Sequence, residues 1–325
     1  MLKYLVVLLD DMSTSFCHYE NGKTISSLMP LDVLKSGIVF GMKENLMIQF
    51  VYPDYDLPKE YKDVIYSIDH TKIVSSHCKD ELLKKEAEIV VLHSWEDFSV
   101  CEFSMDKCYI VRTNKQDLFD KYLLLKETLN HVSRINVTIT DVETFTDNDL
   151  EKYKQVLNVL SDNLQKMYVN GKSIQLNILT DRMMLTSMNN CNAGWENITL
   201  APDGKFYVCP AFYQSDSKTS IEDKAPSIGD LQNGLDIKNP QLYKLSHAPL
   251  CRNCDAYQCK RCVWLNRKTT LEVNIPSREQ CVMAHVERNV SRDLLESIRK
   301  YGTFMPEVEI KEISYLDPFD VRKEW

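Results

Sequence analysis

Short apolar runs alternating with helical patterns fill the first 180 residues, and this alternation most narrows what the chain can fold into. "YLVVLL" (4–9), "LMIQFVY" (46–52), "AEIVVLH" (87–93), "CYIVRT" (108–113), "INVTITDV" (135–142) and "SIQLNILT" (173–180) read as buried strands. Helical patterns occupy 30–45, 115–132 and 148–170. In the last, Leu150, Tyr153, Val156, Leu157, Leu160, Leu164 and Met167 form one apolar face, "TDND" supplies capping residues and Gly171 ends the helix. Strands that alternate with helices in this way predict a mostly parallel sheet with crossover helices.

After about residue 190 the pattern changes. "NITLAPDGKFYVCPAF" predicts a hairpin turning at 202–204, the polar stretch 214–227 reads as a surface loop, and a charge-rich tail closes the chain. A boundary near residue 186 divides the sequence into 1–186 and 187–325.

Charge and apolar content set the function classes. The net charge of -8 argues against a general nucleic-acid binder, and no window reaches the ~20 apolar residues of a membrane span. The opening "MLKYLVVLLDDM" is too short in its apolar run for a secretory signal, so the expected location is the cytoplasm, with no membrane partner.

Eleven cysteines in that compartment point away from disulfides. Seven of them fall between Cys191 and Cys281, and four form "CRNCDAYQCKRC". Cys251/Cys254 and Cys259/Cys262 are two CxxC pairs, turns that let two thiolates converge while backbone amides offset their charge. Together they could hold one tetrahedral zinc ion, or contribute ligands to iron–sulfur clusters. One zinc site would leave Cys191, Cys209 and Cys281 unused.

Twelve residues separate Cys191 from Gly204, four separate Gly204 from Cys209, and eighteen separate Cys262 from Cys281. This order resembles the SPASM domain, the auxiliary-cluster domain of many peptide-modifying radical S-adenosylmethionine enzymes. Its pattern is C-x(9–15)-G-x4-C, then C-x2-C-x5-C-x3-C, then a last C. The first module fits; the second departs, being C-x2-C-x4-C-x2-C. The resemblance implies two 4Fe–4S clusters, one held by Cys251, Cys254, Cys259 and Cys281, the other taking Cys191, Cys209 and Cys262 with a fourth ligand not visible in the sequence. Zinc stays as the alternative.

The same resemblance implies a preceding partial (β/α) barrel of radical S-adenosylmethionine type, opening with a strand and C-x3-C-x-aromatic-C. Here those positions fall on Ser13, Cys17, Tyr19 and Glu20, so one cysteine of three remains. The glycine-rich turn expected after the second strand reads "QFVYPDYDLPKEY". S-adenosylmethionine is therefore not expected as a cofactor.

Overall the chain resembles the CXXX repeat peptide maturases, most strongly across Cys191–Cys281, including "CKRCVWLN" (259–266). That resemblance implies an iron–sulfur protein of ribosomal-peptide maturation, with a degenerate barrel and no autonomous radical activity. Its partners would be a radical S-adenosylmethionine maturase subunit and a cysteine-containing precursor peptide, and its clusters would relay electrons or anchor a peptide thiolate. The alternatives are an active radical enzyme with an atypical cluster site at Cys17, and a zinc-stapled peptide-binding module. His93, Asp141 and Glu143 at strand ends are weaker candidates, read as a satisfied histidine and as helix-capping carboxylates.

Overall fold

The computed structural model describes residues 2–185, 187–188, 191–215 and 227–302. The boundary expected at 186, most of the 214–227 loop and the last part of the tail lie outside them. The elements run β1 (Tyr4–Leu8), α1 (Leu31–Lys43), β2 (Met47–Val51), α2 (Lys59–Ile65), β3 (Thr71–Ser75), α3 (Glu81–Glu86) and β4 (Ile89–Leu92). Then come α4 (Asp97–Val100), β5 (Cys108–Thr113), α5 (Lys115–Thr128), β6 (Arg134–Ile139), α6 (Asp147–Val169), β7 (Gln175–Leu176) and α7 (Asn177–Met184). The remainder is β8 (Asn197–Leu200), β9 (Phe206–Tyr207), α8 (Ala211–Gln214), β10 (Gly229–Asp230), β11 (Gly234–Leu235), α9 (Val263–Thr270) and α10 (Arg278–Arg299).

Two compact units divide the chain, one formed by 1–93 with 191–244, the other by 94–190 with 245–325. In the first, β4, β3, β2, β1 and β8 lie side by side in parallel, and β9 returns antiparallel to β8. Leu5, Val7, Leu8, Phe50, Val51, Val74 and Val91 are buried completely, as continuous apolar strands covered on both faces should be. Gly37 and Gly41 give α1 a flush face: a Cβ at Gly37 would meet Leu200 Cδ2 at 2.3 Å, and one at Gly41 would meet Ile48 Cδ1 at 2.8 Å. The predicted turn forms, with Gly204 at φ +75° between β8 and β9.

In the second unit β5, β6 and β7 are parallel, and α6 and α7 pack against α10. Thr146 and Asp149 form a reciprocal capping box at the start of α6, as "TDND" suggests.

Three local expectations change. "TKIVS" (71–75) is a strand, unanticipated because it is short and half polar. "SIQLNILT" gives two strand residues and then turns into helix α7. Asn177 causes this: its Oδ1 accepts from Val137 N (2.7 Å) and its Nδ2 donates to Val137 O (3.0 Å), so a side chain replaces the next ladder step. The charge-rich tail contains the 22-residue helix α10, whose buried stripe of Val282, Val286, Val290, Leu294 and Ile298 recurs every four residues.

Candidate metal centre

Residues 251–262 make a chain of tight turns that bring sulfurs together. Cys254 N donates to Cys251 O (3.0 Å), and Cys259 N donates to Ala256 O (3.0 Å). Within the same turns Ala256 N donates to Cys254 Sγ and Arg261 N to Cys259 Sγ, each at 3.4 Å. Each pairs a sulfur with the backbone N–H two residues on, a geometry that stabilises thiolate.

Buried polar contacts fasten this loop to its own unit. Asp255, next to Cys254, accepts from Arg288 Nη1 of α10 at 3.0 Å and from Arg182 Nη2 of α7 at 3.3 Å. All three are nearly inaccessible to solvent. Gln258 Nε2 donates to Ala284 O (2.7 Å) and to Glu287 Oε2 (3.2 Å), and Tyr153 of α6 donates to Glu287 Oε1 (2.7 Å). Burial holds the Glu287 carboxyl up, to about 7.

Helix α10 completes the site. Ser277 caps it by accepting from Gln280 N (3.2 Å). Cys281 then lies in its first turns, with Ala284 and His285 three and four residues later on the same face. Cys251, Cys254, Cys259 and Cys281 line one cavity together with Arg261, Ala284 and His285. Met188 and Ala248 pack with Cys251, and Leu250 and Tyr257 lie against them. His285 Nε2 stands 3.6 Å from Cys254 Sγ.

Burial pushes the Cys251 thiol up to about 11 and the Cys254 thiol up to about 12, and holds the Cys259 thiol well above its ordinary value. Such thiols become ligands only where a cation compensates their charge, as a bound metal does. Four sulfurs converging on one cavity, with N–H groups aimed at two of them, suit a thiolate-ligated group. Among the described residues no three His, Cys, Asp or Glu side chains close in on a single point as one ion requires. A four-iron cluster asks for wider spacing, because each thiolate binds a different iron. None of the eleven cysteines forms a disulfide.

Cys262 is buried at the N-cap of α9 and is not among the residues lining this cavity. Cys191 and Cys209 belong to the other unit, the first exposed and the second half-buried just before α8. The sequence reading missed Arg261 and His285. A histidine four residues after a cysteine on an amphipathic stripe was the available signal for His285.

In the first unit, the strand ends carry a polar network. Asp10, fully buried, accepts from Ser26 Oγ (2.9 Å) and Tyr55 OH (2.8 Å). Ser13 Oγ accepts from Asp10 N (3.0 Å) and donates to Val51 O (2.8 Å). Tyr19 donates to Gln214 Oε1 (2.7 Å), Cys17 is half-buried and Glu20 is exposed. Thr14 Oγ1 and His93 Nε2 share a 2.6 Å hydrogen bond, so His93 is satisfied there. In the second unit Asp141 accepts from Lys115 N, the first residue of the preceding helix α5, and Glu143 pairs with Lys268, so neither caps the helix that follows it.

Parallel strands with crossover helices, and a polar network at the strands' carboxyl ends, define the class as a mixed α/β fold. Solved structures with this fold include native anSMEcpe with bound AdoMet, 14% identical, covering 91% of this chain and 99% of that one with a TM-score of 0.57. The same protein with bound AdoMet and Cp18Cys peptide is 12% identical, covering 92% and 99% with a TM-score of 0.58. Streptococcus suis SuiB bound to precursor peptide SuiA is 12% identical, covering 85% and 75% with a TM-score of 0.46. No family model matches the chain, and no curated protein matches it in sequence. No helix among the described residues is long and apolar enough to cross a membrane.

Proposed function

We propose that the chain is an iron–sulfur protein of ribosomal-peptide maturation, working beside a radical S-adenosylmethionine maturase on a cysteine-containing precursor peptide. The carrying observation is the cavity lined by Cys251, Cys254, Cys259 and Cys281. When bound there, a 4Fe–4S cluster supplies a tuneable one-electron centre or a Lewis-acidic iron for a peptide thiolate. The protein's part is to hold four sulfurs apart at fixed positions, to direct Ala256 and Arg261 N–H groups at two of them, and to keep the loop rigid through Asp255 and Gln258. The peptide role draws its support from the likeness in fold to anSMEcpe, a protein solved with AdoMet and Cp18Cys peptide bound.

Autonomous cleavage of S-adenosylmethionine is not part of this reading. Of the three positions that would hold its cluster, Ser13 is spent on backbone hydrogen bonds and Glu20 faces solvent. A second reading, an active radical enzyme using Cys17, is favoured by the bound AdoMet in the structural neighbours.

Anaerobic reconstitution followed by iron, sulfide and zinc analysis tests the proposal. About four irons per chain for one cluster, or about eight for the two implied by the cysteine pattern, supports it. Colourless protein with one zinc replaces it with a zinc-stapled peptide-binding module. Formation of 5′-deoxyadenosine by the isolated, reduced chain establishes the second reading.

A further inference from the structure

Arg261 is 1% exposed, yet it lines the same cavity as the four cysteines. Its backbone is left-handed, at φ 41°, a conformation that glycine takes freely and an L-residue takes only under strain. The turn between Cys259 and Cys262 would be formed equally well by glycine, so the strain is attached to the side chain.

We propose that Arg261 is the built-in counter-charge of the group held by Cys251, Cys254, Cys259 and Cys281, and that it sets that group's reduction potential. The inference rests on the cluster reading. Four thiolates give a cluster site net negative charge, and a one-electron reduction adds another. A fixed cation in a water-poor wall favours the reduced form, because little screening intervenes. Arginine suits the position because it keeps its charge when buried. Arg252, one residue after Cys251, is exposed and screened, and it serves as the control.

The test is an anaerobic dithionite titration followed by electron paramagnetic resonance, with iron counted in each sample, on the full-length wild type and on Arg261→Gln, Arg261→Lys and Arg252→Gln. At a fixed potential the reduced-to-oxidised ratio of the cluster should fall at least tenfold in Arg261→Gln, a shift of about 59 mV for one electron. Arg261→Lys and Arg252→Gln should stay near wild type. An unchanged potential in iron-replete Arg261→Gln overturns the inference and leaves the cluster reading standing. If Arg261→Gln loses iron, recovery of both iron and potential in Arg261→Lys supports the charge role, and failure to recover overturns it. Wild type without any iron–sulfur signal overturns both readings.

Discussion

Arg288 Nη1 lies 3.0 Å from Asp255 Oδ1, a buried ion pair that ties α10 to the residue following Cys254. Arg182 holds the other carboxylate oxygen at 3.3 Å, so Asp255 is clamped between two guanidiniums with almost no solvent contact. The position of Cys254 relative to Cys281 is inherited from this clamp. Asp255→Asn leaves two buried cations without their shared carboxylate. Removing one member of a buried pair costs about 3–5 kcal/mol. A denaturant-midpoint shift of that size, with faster iron release, is expected; a change below about 1 kcal/mol would show the clamp to be dispensable.

Glu287 makes stability depend on pH. Its carboxyl, raised by burial from 4.5 to about 7, holds its proton in the fold longer than in the unfolded chain. Below about pH 4.5 both states are protonated. As pH rises from 4.5 to about 7 the unfolded state ionises first, so stability is lost across that window and then levels off. The gap is worth roughly 3 kcal/mol. Glu287→Gln should therefore gain on the wild type between pH 4.5 and about 7, measured by denaturant unfolding across that range. A wild-type-to-variant difference that does not change with pH would contradict this.

Asn177 takes the place of a strand residue beside β6. Replacing it with leucine keeps the number of side-chain heavy atoms but strands the N–H and C=O of Val137. Each buried unsatisfied group costs about 1–3 kcal/mol. The variant should lose roughly 2–6 kcal/mol in chemical denaturation, and the Val137 amide should lose protection from hydrogen exchange; retention of both would show that water or a shifted backbone takes over.

The case of Asn177 also explains where the sequence was hard to read. "SIQLNILT" looks like a strand by apolar content, and only the fold shows Asn177 bonding across to Val137 and Thr180 Oγ1 receiving the Leu176 amide. Strands such as "CYIVRT" were plain because Tyr109, Ile110 and Val111 make a buried aromatic and β-branched run. α10 was hidden for the opposite reason. Its buried face takes in His285, Glu287 and Arg288, whose partners come from distant segments, so its charge suggested a solvated tail. The cysteine spacing of 251–262 with Cys281 marked the site, but Arg261 and His285 depend on a turn and a helix face that spacing alone does not reveal.

Thr146 offers a local check on the scaffold. Its hydroxyl accepts from Asp149 N while Asp149 accepts from Thr146 N at 2.9 Å. Thr146→Ala should cost about 0.5–2 kcal/mol by loss of the cap. Its iron content should match wild type, because α6 reaches the metal-centre loop through Tyr153, which bonds Glu287, well along the helix from this cap; loss of iron in this variant would place the cap in the site's support.

The most direct measurement is iron and sulfide per chain after anaerobic reconstitution of wild type, Cys254→Ser, Cys281→Ser and, as control, Cys78→Ser, the last a buried thiol beside Asp80. The account predicts that each of the first two substitutions removes about four irons, or leaves a cluster with altered paramagnetic resonance, while Cys78→Ser matches wild type. Unchanged iron and an unchanged spectrum in both Cys254→Ser and Cys281→Ser, or zinc in place of iron in the wild type, would contradict it.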